Sequence, residues 1–167
     1  MYSRTVLDHF ANPRNVGVIE NADGYARVES QVHSDLIDLY IQVKEGKIAK
    51  VRYRIHGCVA AIASSSMTSQ LAMGLPLDGA AKLTAEQVAA ALGGLPEDKR
   101  HCSVLAPRAL RQAVEDYLRK SPAYAELVPV SRRGRGERWP GTQKSQVRAQ
   151  PSDGLGVLFV RWSALKG

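Results

Sequence analysis

Residues 54–73, RIHGCVAAIASSSMTSQLAM, join the end of a strand to the start of a helix, and the rest of the chain is read outward from that junction. Val51-Arg52-Tyr53-Arg54-Ile55 alternates apolar and cationic side chains, the period of a strand with one buried face. His56-Gly57 stops it, Cys58 follows, and Val59 to Ser66 is a run of small residues that suits a helix pressed close to a sheet. A thiol at a helix start sits among unpaired backbone N–H groups and at the positive end of the helix dipole. Both favour the thiolate, the form that binds metal or attacks sulfur. Free cysteine is also among the most buried residue types, so Cys58 reads equally well as a small core residue.

Upstream, Ile37, Leu39, Ile41 and Val43 alternate with Asp38, Tyr40 and Gln42, a second half-buried strand. Glu45-Gly46 turns the chain into the strand of Val51–Ile55. Tyr25 to Val32 gives a first strand, broken at Ser34-Asp35. Connections this short make an antiparallel meander with one wet face. Before it, Tyr2, Val6 and Phe10 form one stripe of a short helix with Ser3 as N-cap, ended by Asn12-Pro13. The segment from Pro13 to Gly17 reads as a turn.

Downstream, Ala61, Ile62, Ser65, Ser66 and Ser69 line one side of the helix after Cys58, which Gly74-Leu75-Pro76 closes. Thr84-Ala85-Glu86-Gln87 has the spacing of a capping box, with Val88, Ala91 and Leu92 as the apolar stripe behind it. A last helix covers Ser103 to Lys120 with Leu110, Val114, Tyr117 and Leu118 as its stripe, and tolerates Pro107 only in its first turn. Three strands followed by helices predict an α+β domain: a small antiparallel sheet with helices packed on one face.

The pattern fails from Ser121. Residues 1–120 hold 15 Lys/Arg and 13 Asp/Glu, while residues 121–167 hold 8 and 3, so most of the net charge of +7 belongs to the tail. Between Ser131 and Gln150 six cations face the single acid Glu137 with almost no aliphatic residues. The expected organisation is therefore one domain over residues 1–120 and a disordered basic extension over residues 121–167. The strand-like GVLFVRW of residues 156–162 has no evident partner. No stretch approaches the about 18 apolar residues of a membrane span, and the charged start does not suit a secretory signal. A cytoplasmic, reducing setting is expected, in which the two cysteines are metal-binding or catalytic before they are a disulfide.

Polar groups gather at element ends: His33 and Asp35 before the second strand, Cys58 before the long helix, His101 and Cys102 before the last helix. In a meander packed on helices these ends can meet at one end of the sheet. Two thiolates with one or two imidazoles and a carboxylate would make a site suited to zinc or to iron–sulfur. Read separately, His33 is a solvated strand-end residue, His101 a helix-cap histidine and Asp35 a turn cap. His9 and His56 read as structural or exposed.

Three blocks carry a resemblance. The first is Tyr2-Ser3 with Val6 and then Asp8-His9-Phe10-Ala11-Asn12-Pro13-Arg14-Asn15-Val16-Gly17. The second is Gly57-Cys58 with Ala61-Ile62-Ala63-Ser64-Ser65-Ser66. The third is Leu95-Pro96, Lys99 and His101-Cys102-Ser103-Val104-Leu105-Ala106. Together they resemble the U-type iron–sulfur cluster assembly scaffolds, the IscU and NifU N-terminal family, over residues 1–120. The resemblance implies a scaffold, not an enzyme. It would carry a transient cluster of the [2Fe-2S] type, take sulfur from a cysteine desulfurase, bind iron, and pass the cluster to apo-proteins. Zinc can occupy such a site in isolated protein. Carried over, Cys58 and Cys102 are two of the family's three cysteine ligands, Asp35 matches its aspartate, His101 its histidine, and Lys99 the lysine before it, a partner contact. His33 stands in Val32-His33-Ser34-Asp35, where the family has Ala-Cys-Gly-Asp. An imidazole there removes one negative charge and should raise the potential of a cluster. Leu95-Pro96-Glu97-Asp98-Lys99 departs from the family's Leu-Pro-Pro-Val-Lys, which argues against dependence on an Hsp70-type chaperone.

Other readings are a divergent paralogue that binds zinc or iron without building a cluster, and a cysteine enzyme using Cys102, His101 and Asp35. A nucleic-acid binder through residues 131–150 is disfavoured, since that segment offers only Trp139 for stacking.

Overall fold

The computed structural model describes residues 1–30 and 34–121. The order is α1 (Arg4–Ala11), β1 (Gly24–Glu29), β2 (Leu36–Lys44), β3 (Lys47–His56), α2 (Val59–Ala72), α3 (Leu77–Ala81), α4 (Ala85–Ala91), a 3-10 helix (Glu97–Val104) and α5 (Leu105–Lys120). The strands form the expected antiparallel meander, in the order β1-β2-β3. Pairing puts Ala26, Leu39 and Tyr53 in one inward row, and Val28, Ile37 and Ile55 in the next. The outward rows are Tyr25, Tyr40, Arg52 and Arg27, Asp38, Arg54. The apolar rows are covered by helices and the polar rows are wet, so the α+β expectation holds for the described residues. The expected disordered extension and the strand-like residues 156–162 lie outside them.

Glu45 and Gly46 both take positive φ, 53° and 71°, the geometry of a two-residue hairpin turn that matches strand twist. The free edge of β3 is covered twice. Gly17 N–H donates to Tyr53 O at 2.9 Å, and Gly74 N–H donates to Ile48 O at 2.8 Å. At the opposite edge α5 crosses close to β1: a Cβ on Gly24 would overlap the Ala113 carbonyl oxygen. The Tyr25 N–H donates to the Asp116 carboxylate at 3.0 Å, so this edge too is tied to α5.

α2 is the central element, lying against α1, β3, α4 and the 3-10 helix. Ten of its fourteen residues are buried, which leaves it without a polar face. Its hydroxyls are therefore used as sockets. Ser66 Oγ meets His9 Nδ1 at 2.8 Å and accepts from the Arg14 N–H at 2.9 Å. Asn15 Nδ2 donates to Ser69 Oγ at 3.0 Å. These bonds dock α1 and the turn after it.

The inner face of α1 is accordingly Val6 and His9, not the expected stripe ending at Phe10, which is exposed. The His9 ring is drawn in by Ser66 one turn before the C-cap, and that rotation carries Phe10 outward. Ser3 caps α1 as expected, accepting from Val6 N–H, and its hydroxyl also donates to the Leu92 carbonyl at the end of α4. The capping box at Thr84 forms with Gln87 in both directions. Behind it Val88 and Leu92 are buried, whereas Ala91 is exposed. Pro107 is the third residue of α5, within the first turn as required.

Candidate metal centre

One end of the sheet gathers three of the expected groups. Asp35 immediately precedes β2, Cys58 is the N-cap of α2, and Cys102 lies in the 3-10 helix. Their donor atoms all lie within 4.8 Å of one another. The two sulfurs are 3.4 Å apart and both cysteines are free. Local sequence explains the convergence. β3 ends at His56, and Gly57 lets the Asp35 carboxylate come in against the turn, where a Cβ would stand 3.1 Å from its Oδ1. Cys58 has extended backbone angles, φ −74° and ψ 173°, and its carbonyl accepts the Ile62 N–H of the first turn. The 3-10 helix then brings Cys102 onto Ala60 and Ala61, with Tyr2, Ile55 and Leu95 packed around them.

At Cys102 the electrostatics differ from the expectation of an activated thiolate. Burial pushes the Cys102 thiol up to about 12, aided by its hydrogen bond with Cys58, the charge of Cys58 and the charge of Asp35. Only the Lys99 ammonium opposes them. Cys102 is 3% exposed and lies three residues before α5 begins, so desolvation outweighs any helix-start effect. Without a cation Cys102 holds its proton. A bound cation would take its place, because it neutralises the charge that burial penalises. One carboxylate and two thiols supply three donors, leaving a tetrahedral cation at least one open position.

Of the other expected residues, Lys99 lies in the same 3-10 helix and its charge bears on Cys58 and Cys102, while its nitrogen is 3.4 Å from Asp98 Oδ2. His101 is exposed and does not join the three donors. Successive residues of a 3-10 helix are splayed about 120° apart, so a buried Cys102 turns its neighbour outward. His33 lies outside the described residues. Tyr2 reads from the sequence as a helix-stripe residue and as part of the first family block, and it packs against the cluster of Ala60, Ala61 and Cys102. Burial, and then the charge of Cys58, raise its hydroxyl above the ordinary tyrosine value. Nothing in spacing marks it as a site residue.

Comparison with known proteins points to one family. The model of the NifU-like N terminal domain matches residues 1–123. The iron-sulfur cluster assembly scaffold protein IscU 1 of Archaeoglobus fulgidus is 52% identical over 121 residues, 72% of this chain and 79% of that protein. The scaffold protein IscU of Escherichia coli K12 is 40% identical over 126 residues, 73% of this chain and 98% of the relative. Among solved structures, a NifU-like protein (N-terminal) from Brucella abortus superposes with a TM-score of 0.58 at 18% identity, covering 71% of this chain and 95% of that one. That last likeness speaks for the fold, and the two sequence relatives for descent. The chain belongs to the family of the NifU-like N terminal domain.

Proposed function

We propose that this protein is a scaffold for iron–sulfur cluster assembly, holding iron and a cluster as cargo and passing the cluster to apo-proteins. The observation that carries this reading is the meeting of Asp35, Cys58 and Cys102 within 4.8 Å, in a chain of this family. The relatives are named as assembly scaffolds, and the role is that of a carrier, not of an enzyme. Cys58 and Cys102 hold the cargo, Asp35 is the third donor, and His33 completes the set. Lys99 faces the partner and offsets the negative charge of the loaded site. The cargo is a [2Fe-2S] cluster, with sulfur supplied by a cysteine desulfurase. Zinc fills the same donors in isolated protein, as Cys/Asp/His sets permit.

The departure at Val32-His33-Ser34-Asp35 favours a second reading, a paralogue that binds zinc or iron and assembles nothing. Anaerobic reconstitution with ferrous iron and sulfide separates the two. A scaffold develops the visible absorption of a sulfide-bridged cluster with matching iron and acid-labile sulfide. Cys58→Ser and Cys102→Ser should each lower bound iron at least tenfold. Wild-type iron content in both variants would place the site elsewhere. Iron without sulfide in the parent protein would favour the second reading.

A further inference from the structure

We propose that Cys58 and Cys102 form a dithiol–disulfide pair, closed by hydrogen peroxide or a comparable two-electron oxidant, and that closure withdraws both thiols from the cargo site. The closure stands on the geometry alone; its consequence rests on the metal-site reading above.

The two sulfurs already touch at 3.4 Å, and a disulfide needs about 2.05 Å, so roughly 1.4 Å must be gained. The surroundings allow it. Cys58 is an N-cap, half-exposed, with no hydrogen bond from its side chain to the helix it caps. Cys102 sits on Ala60 and Ala61, small neighbours across which the 3-10 helix and α2 pack directly. These are the chain's only two cysteines, so no third thiol competes for either partner or is left over after closure.

Burial sets the order of events. Peroxide reaches the half-exposed Cys58 before Cys102, which is 3% exposed. The Cys58 thiolate attacks one peroxide oxygen, the O–O bond breaks, and the released hydroxide takes up the thiol's proton as water. Cys58 is then a sulfenic acid. The Cys102 sulfur attacks the Cys58 sulfur, the S–O bond breaks, and hydroxide leaves with the Cys102 proton as a second water. Two thiols have lost two electrons, peroxide has gained them, and the S–S bond is formed. A resolving thiol in contact captures the sulfenic acid before further oxidation. A dithiol reductant restores the pair by exchange. Asp35 alone of the three donors is left while the pair is closed.

The test uses the full chain, reduced and freed of metal, treated with peroxide, blocked with N-ethylmaleimide and weighed intact. The expected product is a monomer lighter by about 2 Da, without maleimide adducts, that dithiothreitol returns to the parent mass. Its thermal midpoint should rise, because the bridge closes a long loop. Cys102→Ser should stop at a Cys58 sulfenic acid that dimedone traps, and Cys58→Ser should react more slowly than either. Wild-type protein that keeps two maleimide adducts, gains oxygen mass, or links into dimers overturns the proposal. The second measurement is Co2+ binding, followed by its thiolate-to-metal absorption. Reduced protein should bind and closed protein should not. If closed protein binds as well as reduced, the withdrawal is refuted. If the pair closes but reduced protein binds no Co2+, the metal reading falls and the disulfide pair stands.

Discussion

A methyl group on Gly57 would meet Asp35 Oδ1 at 3.1 Å and the Ala61 Cβ at 3.0 Å. Ala61 belongs to a buried helix and cannot retreat, so the carboxylate must turn away from the thiols. Gly57→Ala should therefore weaken Co2+ binding roughly tenfold or more while costing the fold only about 1–2 kcal/mol. A metal titration beside a urea unfolding curve measures both, and unchanged affinity would mean that Asp35 is no ligand. His9 makes a different single-residue case. Burial, reinforced by the Arg14 charge, lowers its pKa below the ordinary histidine value, and only Asp8 opposes the shift. The folded state then resists a proton that the unfolded chain accepts. Stability is unaffected above the unfolded pKa of about 6.5, falls as pH drops through it, and levels off below the folded value. His9→Gln keeps a polar partner for Ser66 and should flatten that fall. Urea midpoints at pH 7.5 and 5.5 give the comparison, and equal losses in both proteins would assign the pH dependence to other groups.

The hairpin between β2 and β3 closes through Glu45 at φ 53°, a conformation that an ordinary side chain holds at a cost of about 1 kcal/mol. Asparagine tolerates it better, so Glu45→Asn should raise stability by about 0.5–1 kcal/mol with no change in metal binding. An unchanged or lowered urea midpoint would refute this. That turn was readable because Glu45-Gly46 separates two alternating runs, and the strands because one face of the sheet is wet. The capped helices were readable for the same kind of reason: Ser3 and Thr84 sit where an orphan N–H needs an oxygen. Other elements left no pattern. α3 is five residues long, too short to display a period. The 3-10 helix aligns side chains at every third position, and EDKRHCSV offers no apolar stripe at that spacing. Spacing put Ser66 and Ser69 on one side of α2, but with ten of its residues buried no polar face marked them as sockets for His9 and Asn15.

At the scale of the whole molecule, the candidate site is assembled from segments far apart in sequence, which is why spacing could only offer Asp35, Cys58 and Cys102 as groups at element ends. The family blocks chose among them, and neither source foresaw that the 3-10 turn would expose His101. The same three-dimensional accounting bears on where the domain ends. Among the described residues, the buried core runs from Val6 to Leu118, and the chain divides into two units at Arg119/Lys120. Among the described residues, every strand pairing and every donor of the site falls within the first unit. We expect residues 1–120 to fold alone, with one cooperative unfolding transition and the Co2+ stoichiometry of the full chain. The fragment also sheds most of the positive charge, since residues 121–167 carry 8 Lys/Arg against 3 Asp/Glu. Any attraction to polyanions such as heparin should therefore drop with truncation while metal binding stays, because charge and donors lie in different parts of the chain. Circular dichroism melting and metal titration of the fragment decide the matter. A fragment that melts without cooperativity, or that binds no Co2+ when the full chain does, would show that residues beyond 120 complete the domain.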